Sequence, residues 1–361
     1  MKKIAVVTRS LSAGGAERVI TQLINEWAGA GLECTLILLD KCPRFYETDK
    51  RVKIIEIGRL HRSQPVDKLL KYRHVRKLIN SEAPDAVLSM PEEIGIYTLL
   101  SLIGTGVPVF VSERNDPRRM PYKKISRFLR RIAYPAAKGI VFQSKKAASY
   151  FPDSIQKKSS ILPNPLDENR IPEPWPCERA RKIVTAGRLE PQKNQKLLIR
   201  AFSYVYNKHP DHVLEIYGDG SLRGELERYA SDELNGDICL FKGEDKDLLE
   251  HIRDASVFVL CSDYEGLPNA LIEAMACGIP VVTTDYEPGS VWEIIEDGIN
   301  GLVVPRNDPE RLADAIIRLI EDRDLAQMLS DNALSIRSKF NSTVVSGQWL
   351  SFFEDRITGR K

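Results

Sequence analysis

The stretch "DYEGLPNALIEAMACGIPVVTTD", residues 263–285, decides how the chain is read. An apolar run, Val257 to Cys261, precedes it, and a second, Ile279 to Thr283, follows Gly278. Between them the sequence predicts a short helix. Proline at Pro268 suits a helix start, where its missing N–H is not needed, and Gly278 suits the residue just past the end. Strand, loop, helix and strand in so few residues make a βαβ unit, the building block of a parallel sheet with helices on both faces. In such sheets the loops beyond the carboxyl ends of the strands hold the ligand. Two carboxylates frame this one: Glu265 in the loop and Glu273 inside the helix.

The alternation continues outward in both directions. Towards the N-terminus, "KIAVVT" leads into a helix from about Ala16 to Ala30, then "CTLILLD", "VKIIEI", a helix around 66–81, "DAVLSM", a helix near 93–103, "VPVFVSE", a basic helix near 121–137 and "GIVFQS". A stretch with five prolines, residues 162–180, reads as a linker. Beyond it come "KIVTAGR", "HVLEIYGDG", "DICLFKG", "SVFVLCS", "IPVVTT" and "GLVVP", with helices near 194–207, 221–233, 245–253 and 290–296 between or after them and more from 308 onward. Two doubly wound α/β domains, with a cleft between them, are expected. A tail carrying Trp349, Phe352 and Phe353 is too bulky to stay in solvent.

The 361 residues, 43% hydrophobic and 28% charged, suit a two-domain globular protein. No apolar run has the eighteen or so residues of a spanning helix, and the apolar start is too short for a signal peptide, so a cytoplasmic protein is expected. Six cysteines with no CxxC pair read as buried free thiols. The net charge of +2 hides an asymmetry. Residues 1–165 hold 29 Lys and Arg against 15 Asp and Glu, and the remainder 23 against 35. No nucleic-acid recognition motif accompanies the basic half. The five histidines show no ligand spacing, and the pairs Asp245/Asp247 and Asp322/Asp324 read as solvated positions on helices.

Three loops carry candidate chemistry. In "RSLSAGGAERV", residues 9–19, Gly14 and Gly15 open a helix whose first turn holds Arg18, which makes either an anion seat or a plain glycine turn. In "GRLEPQKN", residues 187–194, Arg188 and Lys193 either neutralise a diphosphate or are solvated. In the opening stretch, Gly266, Leu267 and Pro268 lead to a helix start where the amides of Asn269, Ala270 and Leu271 suit a phosphate. A carboxylate accepts two hydrogen bonds at once, which matches the diol of a ribose or the hydroxyls of a sugar.

These segments together resemble the retaining GT-B glycosyltransferases of family GT4. The matches are "GGAER" at 14–18, "GRLEPQKN" at 187–194, "YGDG" at 217–220 and "EGLPNALIEAMACGIPVV" at 265–282, in order along essentially the whole chain. The resemblance implies an α/β GT-B fold: two Rossmann-like doubly wound domains facing across a cleft. The first, 1–166, takes the acceptor; the second, 167–340, binds the nucleotide sugar; and 341–361 packs back on the first. It implies that Glu273 holds the ribose diol, that Glu265 contacts the donor sugar, and that Arg188 and Lys193 bind the diphosphate with help from the Gly14–Gly15 loop. It implies no cofactor and no metal, with a UDP-sugar as donor substrate. The reaction it implies is front-face displacement with retention, in which the cations and the helix start would stabilise charge on the leaving diphosphate. The resemblance also suggests an acceptor glycan carried on a lipid diphosphate, in bacterial surface polysaccharide or glycoprotein glycan assembly.

One departure stands out. Where many relatives carry a histidine near the donor sugar, this chain reads "VSERNDPRR", which makes Arg114 and Asn115 the candidates there. Two other readings of the same residues remain open: a non-hydrolysing sugar-nucleotide 2-epimerase, and a nucleotide-sugar-binding protein without turnover. In the basic half, "PYKKISRFLRRIAYPAAK", residues 121–138, is amphipathic at helical spacing. Ile125, Phe128, Leu129 and Ile132 are expected to pack on the sheet. Lys123, Lys124, Arg127, Arg130 and Arg131 are expected to face outward, towards an anionic membrane on its inner surface or the lipid-linked acceptor.

Overall fold

The computed structural model of the chain describes residues 1–12, 14–234 and 238–359. Ala13 of the first glycine loop, Asp237 at the expected start of "DICLFKG" and residues 360–361 of the C-terminal segment lie outside them. Contacts divide the chain into two compact units, Met1–Pro165 with Phe340–Lys361, and Leu166–Lys339.

The first unit runs β1 (Lys3–Thr8), α1 (Gly15–Gly29), β2 (Glu33–Leu38), β3 (Lys53–Glu56), α2 (Gln64–Glu82), β4 (Ala86–Ser89), α3 (Glu92–Leu102), β5 (Val109–Ser112), α4 (Lys124–Ala133), β6 (Gly139–Phe142), the short helices α5 (Lys145–Ala148) and α6 (Asp153–Gln156), and β7 (Ser159–Ile161). Its seven strands are parallel in the order β3-β2-β1-β4-β5-β6-β7. Both faces of β1 are buried, which is why it shows no polar alternation. Ile4 and Val6 pack with Leu23, Ile24 and Trp27 of α1 on one face. Ala5 and Val7 pack with Val75 and Ile79 of α2 and Leu99 of α3 on the other.

The second unit runs β8 (Ala180–Ala186), α7 (Gln195–Lys208), β9 (Val213–Tyr217), α8 (Arg223–Glu233), β10 (Cys239–Gly243), α9 (Leu248–Ile252), β11 (Ala255–Leu260), α10 (Asn269–Ala276), β12 (Val281–Thr284), β13 (Leu302–Val304), α11 (Pro309–Glu321), α12 (Arg323–Ala333) and α13 (Ile336–Lys339). The chain then supplies α14 (Ser342–Thr358) to the first unit. The six strands are parallel in the order β10-β9-β8-β11-β12-β13. α10 ends as its sequence predicts: Gly278 takes φ +68°, Gly278 N donates to Met275 O at 2.9 Å and Ile279 N to Ala274 O at 3.0 Å. This paired bonding satisfies the last carbonyls of the helix.

Several expectations shift. The helix expected near 290–296 is a single 3-10 turn, Ser290–Glu293. β7, too polar and short to read as a strand, adds an edge to the first sheet. The proline-rich stretch is divided at Pro165/Leu166 between the two units. Asp245 and Asp247 lie in the turn before α9, and Asp322 caps α12. The tail is firmly packed. Trp349 and Phe353 are fully buried, Phe353 lies 4.3 Å between ring centroids from Phe110, and Trp27 Nε1 donates to Ser346 O at 3.2 Å.

Candidate active site

In the second unit β8 and β11 are neighbours, and the order of connection reverses between them. That is the switch point where loops part and leave room for a ligand. The loop after β8 carries Arg188 and Lys193; the loop after β11 carries Glu265 and leads into α10. The two loops are stitched together. Asp263 N donates to Gln192 O at 2.9 Å, Gln192 Nε2 to Tyr264 O at 2.7 Å, and Asn194 Nδ2 to Asp263 Oδ1 at 2.9 Å.

Glu265 sits at the centre of this seam. The residue is 6% exposed, and its carboxylate is ion-paired with Lys193 and also accepts from Ser262 Oγ at 2.7 Å and Gln192 Nε2 at 3.3 Å. The structure thus brings together two predicted residues, Lys193 and Glu265, as one buried pair. Arg188, one side of the same loop, is exposed, and its guanidinium has no partner among the described residues. Of the two predicted cations it is the one whose charge is uncompensated. Beyond Gly266 and Leu267, α10 begins with Pro268 as cap residue, whose own side chain makes no cap bond, and Asn269, Ala270 and Leu271 form its first turn. Glu273 lies in the body of α10, 5% exposed. With burial as the main cause, its charge helps push the Cys277 thiol up to about 12.

The "YGDG" segment has a structural task. Gly187 N donates to Tyr217 O and Leu189 N to Asp219 O, so the loop after β9 clamps the loop that carries Arg188. Gly218 takes φ +115°, and a Cβ there would stand 2.1 Å from Gly187 O. At Gly220 a Cβ would stand 2.5 Å from Leu189 O. Only glycine allows the two backbones to approach this closely.

Other supports were not visible in sequence. Arg306, just past β13, donates from Nη2 to Glu287 Oε1 at 3.3 Å and from Nη1 to Asp263 O at 3.4 Å. Tyr286 is fully buried, and burial together with the Glu265 charge pushes its hydroxyl well above the usual range. The only sequence signal for either was a place just beyond the C-terminal end of a strand.

The remaining candidates lie in the first unit. Gly14 is the cap residue of α1, and the end of the Glu17 side chain lies against it, so a Cβ at Gly14 would meet that carboxylate. Arg114, after β5, donates from Nη2 to Asn164 Oδ1 at 2.5 Å, an acceptor shared with Gln143 Nε2 at 2.8 Å. Arg114 Nη1 is buried with no hydrogen-bond partner among the described residues. Burial lowers this guanidinium to about 10, while the charges of Glu92 and Glu17 act in the opposite direction. Asn115 spends its carbonyl on Asp116 N at 2.9 Å. Burial, with the Glu113 charge, raises the Glu92 carboxyl to about 7.

The basic helix corrects the sequence reading. Arg130 does not face outward. It is 2% exposed, ion-paired to Glu113 at 3.2 Å, and donates to Met120 O at 2.9 Å and Pro117 O at 2.7 Å. Tyr134 Oη donates to the same Glu113 carboxylate. A buried carboxylate needs a cation and hydrogen bonds, and Arg130 is the residue of α4 that supplies them. Arg127 is half-buried, with Nη1 on Arg119 O at 3.1 Å; Lys123, Lys124 and Arg131 are exposed. The apolar row is the reverse of the expectation too. Ile125, Phe128 and Ile132 face solvent, and only Leu129 turns partly inward.

Two further expectations are revised. His209, Asp211 and His212 bring their ligand atoms within 4.8 Å of one another, although the sequence showed no such set. One ring nitrogen of each histidine is hydrogen-bonded, His209 Nε2 with Glu321 at 3.1 Å and His212 Nδ1 with Asp211 at 2.9 Å. Of the cysteines, Cys34, Cys261 and Cys277 are buried, while Cys177 is exposed.

Comparison with known proteins matches this geometry to a family. The glycosyl transferases group 1 profile matches residues 167–335, and the glycosyltransferase family 4 profile matches residues 13–170. The chain is 26% identical to a Campylobacter jejuni α-1,4-N-acetyl-D-galactosaminyltransferase named for a GalNAc-containing diphosphoundecaprenol glycan, over 98% of this chain and 99% of that one. It is 24% identical to an Escherichia coli UDP-Gal:α-D-GlcNAc-diphosphoundecaprenol α-1,3-galactosyltransferase, over 94% and 93%. Among solved structures, HepE of Anabaena in complex with UDP superposes with a TM-score of 0.81 at 17% identity, covering 98% of this chain and all of that one. The chain belongs to the group 1, family 4 glycosyltransferases and has their GT-B fold.

Proposed function

We propose that this glycosyltransferase moves a hexose or N-acetylhexosamine, with retention, from a UDP-sugar to a glycan carried on a lipid diphosphate, in the assembly of a bacterial surface polysaccharide or glycoprotein glycan. The observation that carries the donor side is the Lys193–Glu265 pair at the β8/β11 switch point, beside exposed Arg188 and ahead of α10. Glu273 holds the ribose diol through its two carboxylate oxygens. Arg188, Lys193 and the first-turn amides of α10 take the diphosphate and the negative charge that grows on it as the sugar C1–O bond breaks. Glu265 bonds a sugar hydroxyl and keeps Lys193 extended. The departing phosphate oxygen takes the acceptor proton, so no separate base is required, and the cations and amides stand in for a metal ion. The acceptor class is supported by the two relatives named for diphosphoundecaprenol glycans.

The test is a panel of nucleotide sugars incubated with and without a polyprenyl-diphosphate glycan, with free nucleotide and product anomer measured. One UDP-sugar should release UDP far faster with the acceptor and give the donor's own anomeric configuration in the product. An altered sugar without acceptor would identify an epimerase instead, and no nucleotide release with any donor would leave a binding protein. Excess EDTA should leave the rate within about twofold; loss restored by Mn²⁺ or Mg²⁺ would overturn the metal-free reading.

A further inference from the structure

The turn between α7 and β9 reads His209-Pro210-Asp211-His212 and gathers two of the chain's five histidines beside a carboxylate. One ligand atom each from His209, Asp211 and His212 lies within 4.8 Å of the others. The turn is closed by its own backbone, with His212 N donating to His209 O at 3.2 Å, and the two rings meet edge to face with centroids 5.8 Å apart. A second carboxylate joins from another element: Glu321, the last residue of α11, stands 3.1 Å from His209 Nε2. His212 is buried, His209 partly so, and Asp211 and Glu321 are exposed, so the group has protein on one side and water on the other. Each imidazole has one nitrogen on a carboxylate, and among the described residues the other nitrogen, His209 Nδ1 or His212 Nε2, makes no hydrogen bond. A neutral imidazole that donates through one nitrogen to a carboxylate offers a lone pair on the other, which is how histidines are commonly held for a metal.

We propose that His209, Asp211 and His212, with Glu321 as fourth ligand, bind one Zn²⁺ ion. Two imidazoles favour a zinc-class ion over Mg²⁺ or Ca²⁺, which take oxygen ligands. The spacing is close to what such an ion asks for. With bonds of about 2.0–2.1 Å, neighbouring ligands of a tetrahedral ion stand about 3.3 Å apart, and the two nitrogen–oxygen pairs here are already at 2.9 and 3.1 Å. The cations that now neutralise the carboxylates are Arg181 on Asp211 and Lys208 on Glu321, both on exposed side chains that can swing into water as the ion enters. The location decides what the ion does. The turn lies at the amino end of β9, whereas Arg188 and Glu265 follow the carboxyl ends of β8 and β11, parallel strands of the same sheet. An ion there ties the α7–β9 turn to the end of α11. With four protein ligands it keeps no position open for a substrate. Its task is structural, stripping it lowers stability and not the rate of transfer, and the site does not depend on the transferase reading.

The experiment is titration of Zn²⁺ into the full chain, first stripped with a chelator and dialysed, in competition with a chromophoric zinc chelator. The wild type should take up one ion per chain with a micromolar or tighter dissociation constant. Zinc at about a hundred times that constant should raise the melting temperature of the second unit by about 5–10 °C. Co²⁺ in its place should show the strong visible absorption of a four-coordinate ion. UDP affinity should be the same with and without zinc. His209→Ala and His212→Ala should bind at least about tenfold more weakly, and Glu321→Gln, which keeps an acceptor for His209, about tenfold more weakly. Metal-free melting temperatures show which variants are folded, and His212→Gln, which keeps a polar side chain, replaces His212→Ala if alanine unfolds the unit. Cys177→Ser removes an exposed thiol and should bind as the wild type does. The proposal is overturned if the wild type takes up no zinc at micromolar concentration, or if folded histidine variants or Glu321→Gln bind zinc as tightly as the wild type. Loss of uptake in Cys177→Ser would equally overturn it, by placing the ion on the thiol.

Discussion

Removing Lys193 should cost the protein more stability than neutralising its partner Glu265, although one ion pair is lost in both cases. The carboxylate is the more deeply buried member; the Glu265 side chain is 8% exposed and the Lys193 side chain 16%. Lys193→Ala leaves a charged carboxylate in the seam with only the Ser262 and Gln192 donors for company. Breaking a buried pair from one side costs about 3–5 kcal/mol, and the two remaining hydrogen bonds bring the expected loss to about 2–3 kcal/mol. Glu265→Gln keeps an acceptor for those donors and leaves an ammonium whose long arm can swing into water, for a cost of about 1 kcal/mol. In the double variant no charge is stranded, so its cost should be less than the sum of the single ones by about 1–2 kcal/mol. Scanning calorimetry suits a chain of two units that need not melt together. The transition of the second unit should fall by about 4–10 °C in Lys193→Ala and by less than about 4 °C in Glu265→Gln. Equal shifts in the two single variants, or strict additivity in the double one, would refute the idea that Lys193 serves to neutralise Glu265.

Titration calorimetry with UDP should separate the two glutamates: Glu273→Ala loses about 1.5–3 kcal/mol of UDP affinity, and Glu265→Gln stays within about threefold. Equal UDP affinity in wild type and Glu273→Ala would remove the ribose assignment. Gly218→Ala should destabilise the second unit by about 3 kcal/mol or more through its φ of +115° and the Gly187 oxygen. Gly224→Ala, with nothing within 4 Å, should be neutral or slightly stabilising in denaturant melts. The first unit should also show a pH signature from Glu92. Its carboxyl titrates near 7 when folded against 4.5 ordinarily, so the folded chain holds a proton that the unfolded chain has released between those values. Stability therefore falls as pH rises from about 4.5 to 7 and stays lower above. Glu92→Gln should remove that slope and gain about 2–3 kcal/mol over wild type at pH 8, with little change at pH 4; melts of the two proteins that run parallel across this range would show that Glu92 is ionised in the fold throughout.

The fold was legible because its signals are local. A βαβ chain writes each strand as an apolar run and each helix end as proline or glycine, and 263–285 contains all of these. The candidate residues of the second unit were legible for the same reason, since Arg188, Lys193, Glu265 and Glu273 lie in short segments that abut strands. What sequence could not give was the state of those residues. Arg188 and Lys193 look alike on paper, yet one is exposed and the other spends its charge on Glu265. The same limit explains α4. Its pattern showed an apolar row and a basic row, but the face that turns inward, Ser126, Arg130 and Ala133, is anchored by Glu113, seventeen residues away in sequence from the arginine it holds. Periodicity locates faces; the partner of one buried carboxylate showed which of them is inward. Glu17 beside Gly14 is a third case, where the carboxylate of a residue three positions along lies against the glycine, which spacing alone does not show.

The placement of α14 has a consequence for how the protein is made. The first unit draws on residues 1–165 and on 340–358, and Val345, Trp349 and Phe353 complete the layer over α1 and Phe110. The second unit is continuous in sequence. During synthesis, therefore, the unit that leaves the ribosome first cannot finish first. It waits with Trp27 and Phe110 uncovered until the whole of the second unit and then α14 have emerged, a delay of roughly ten seconds or more at ordinary rates of synthesis. A pause or truncation after Lys339 would release a chain with one finished half and one sticky half, which makes the α14 segment a point of quality control for the whole molecule.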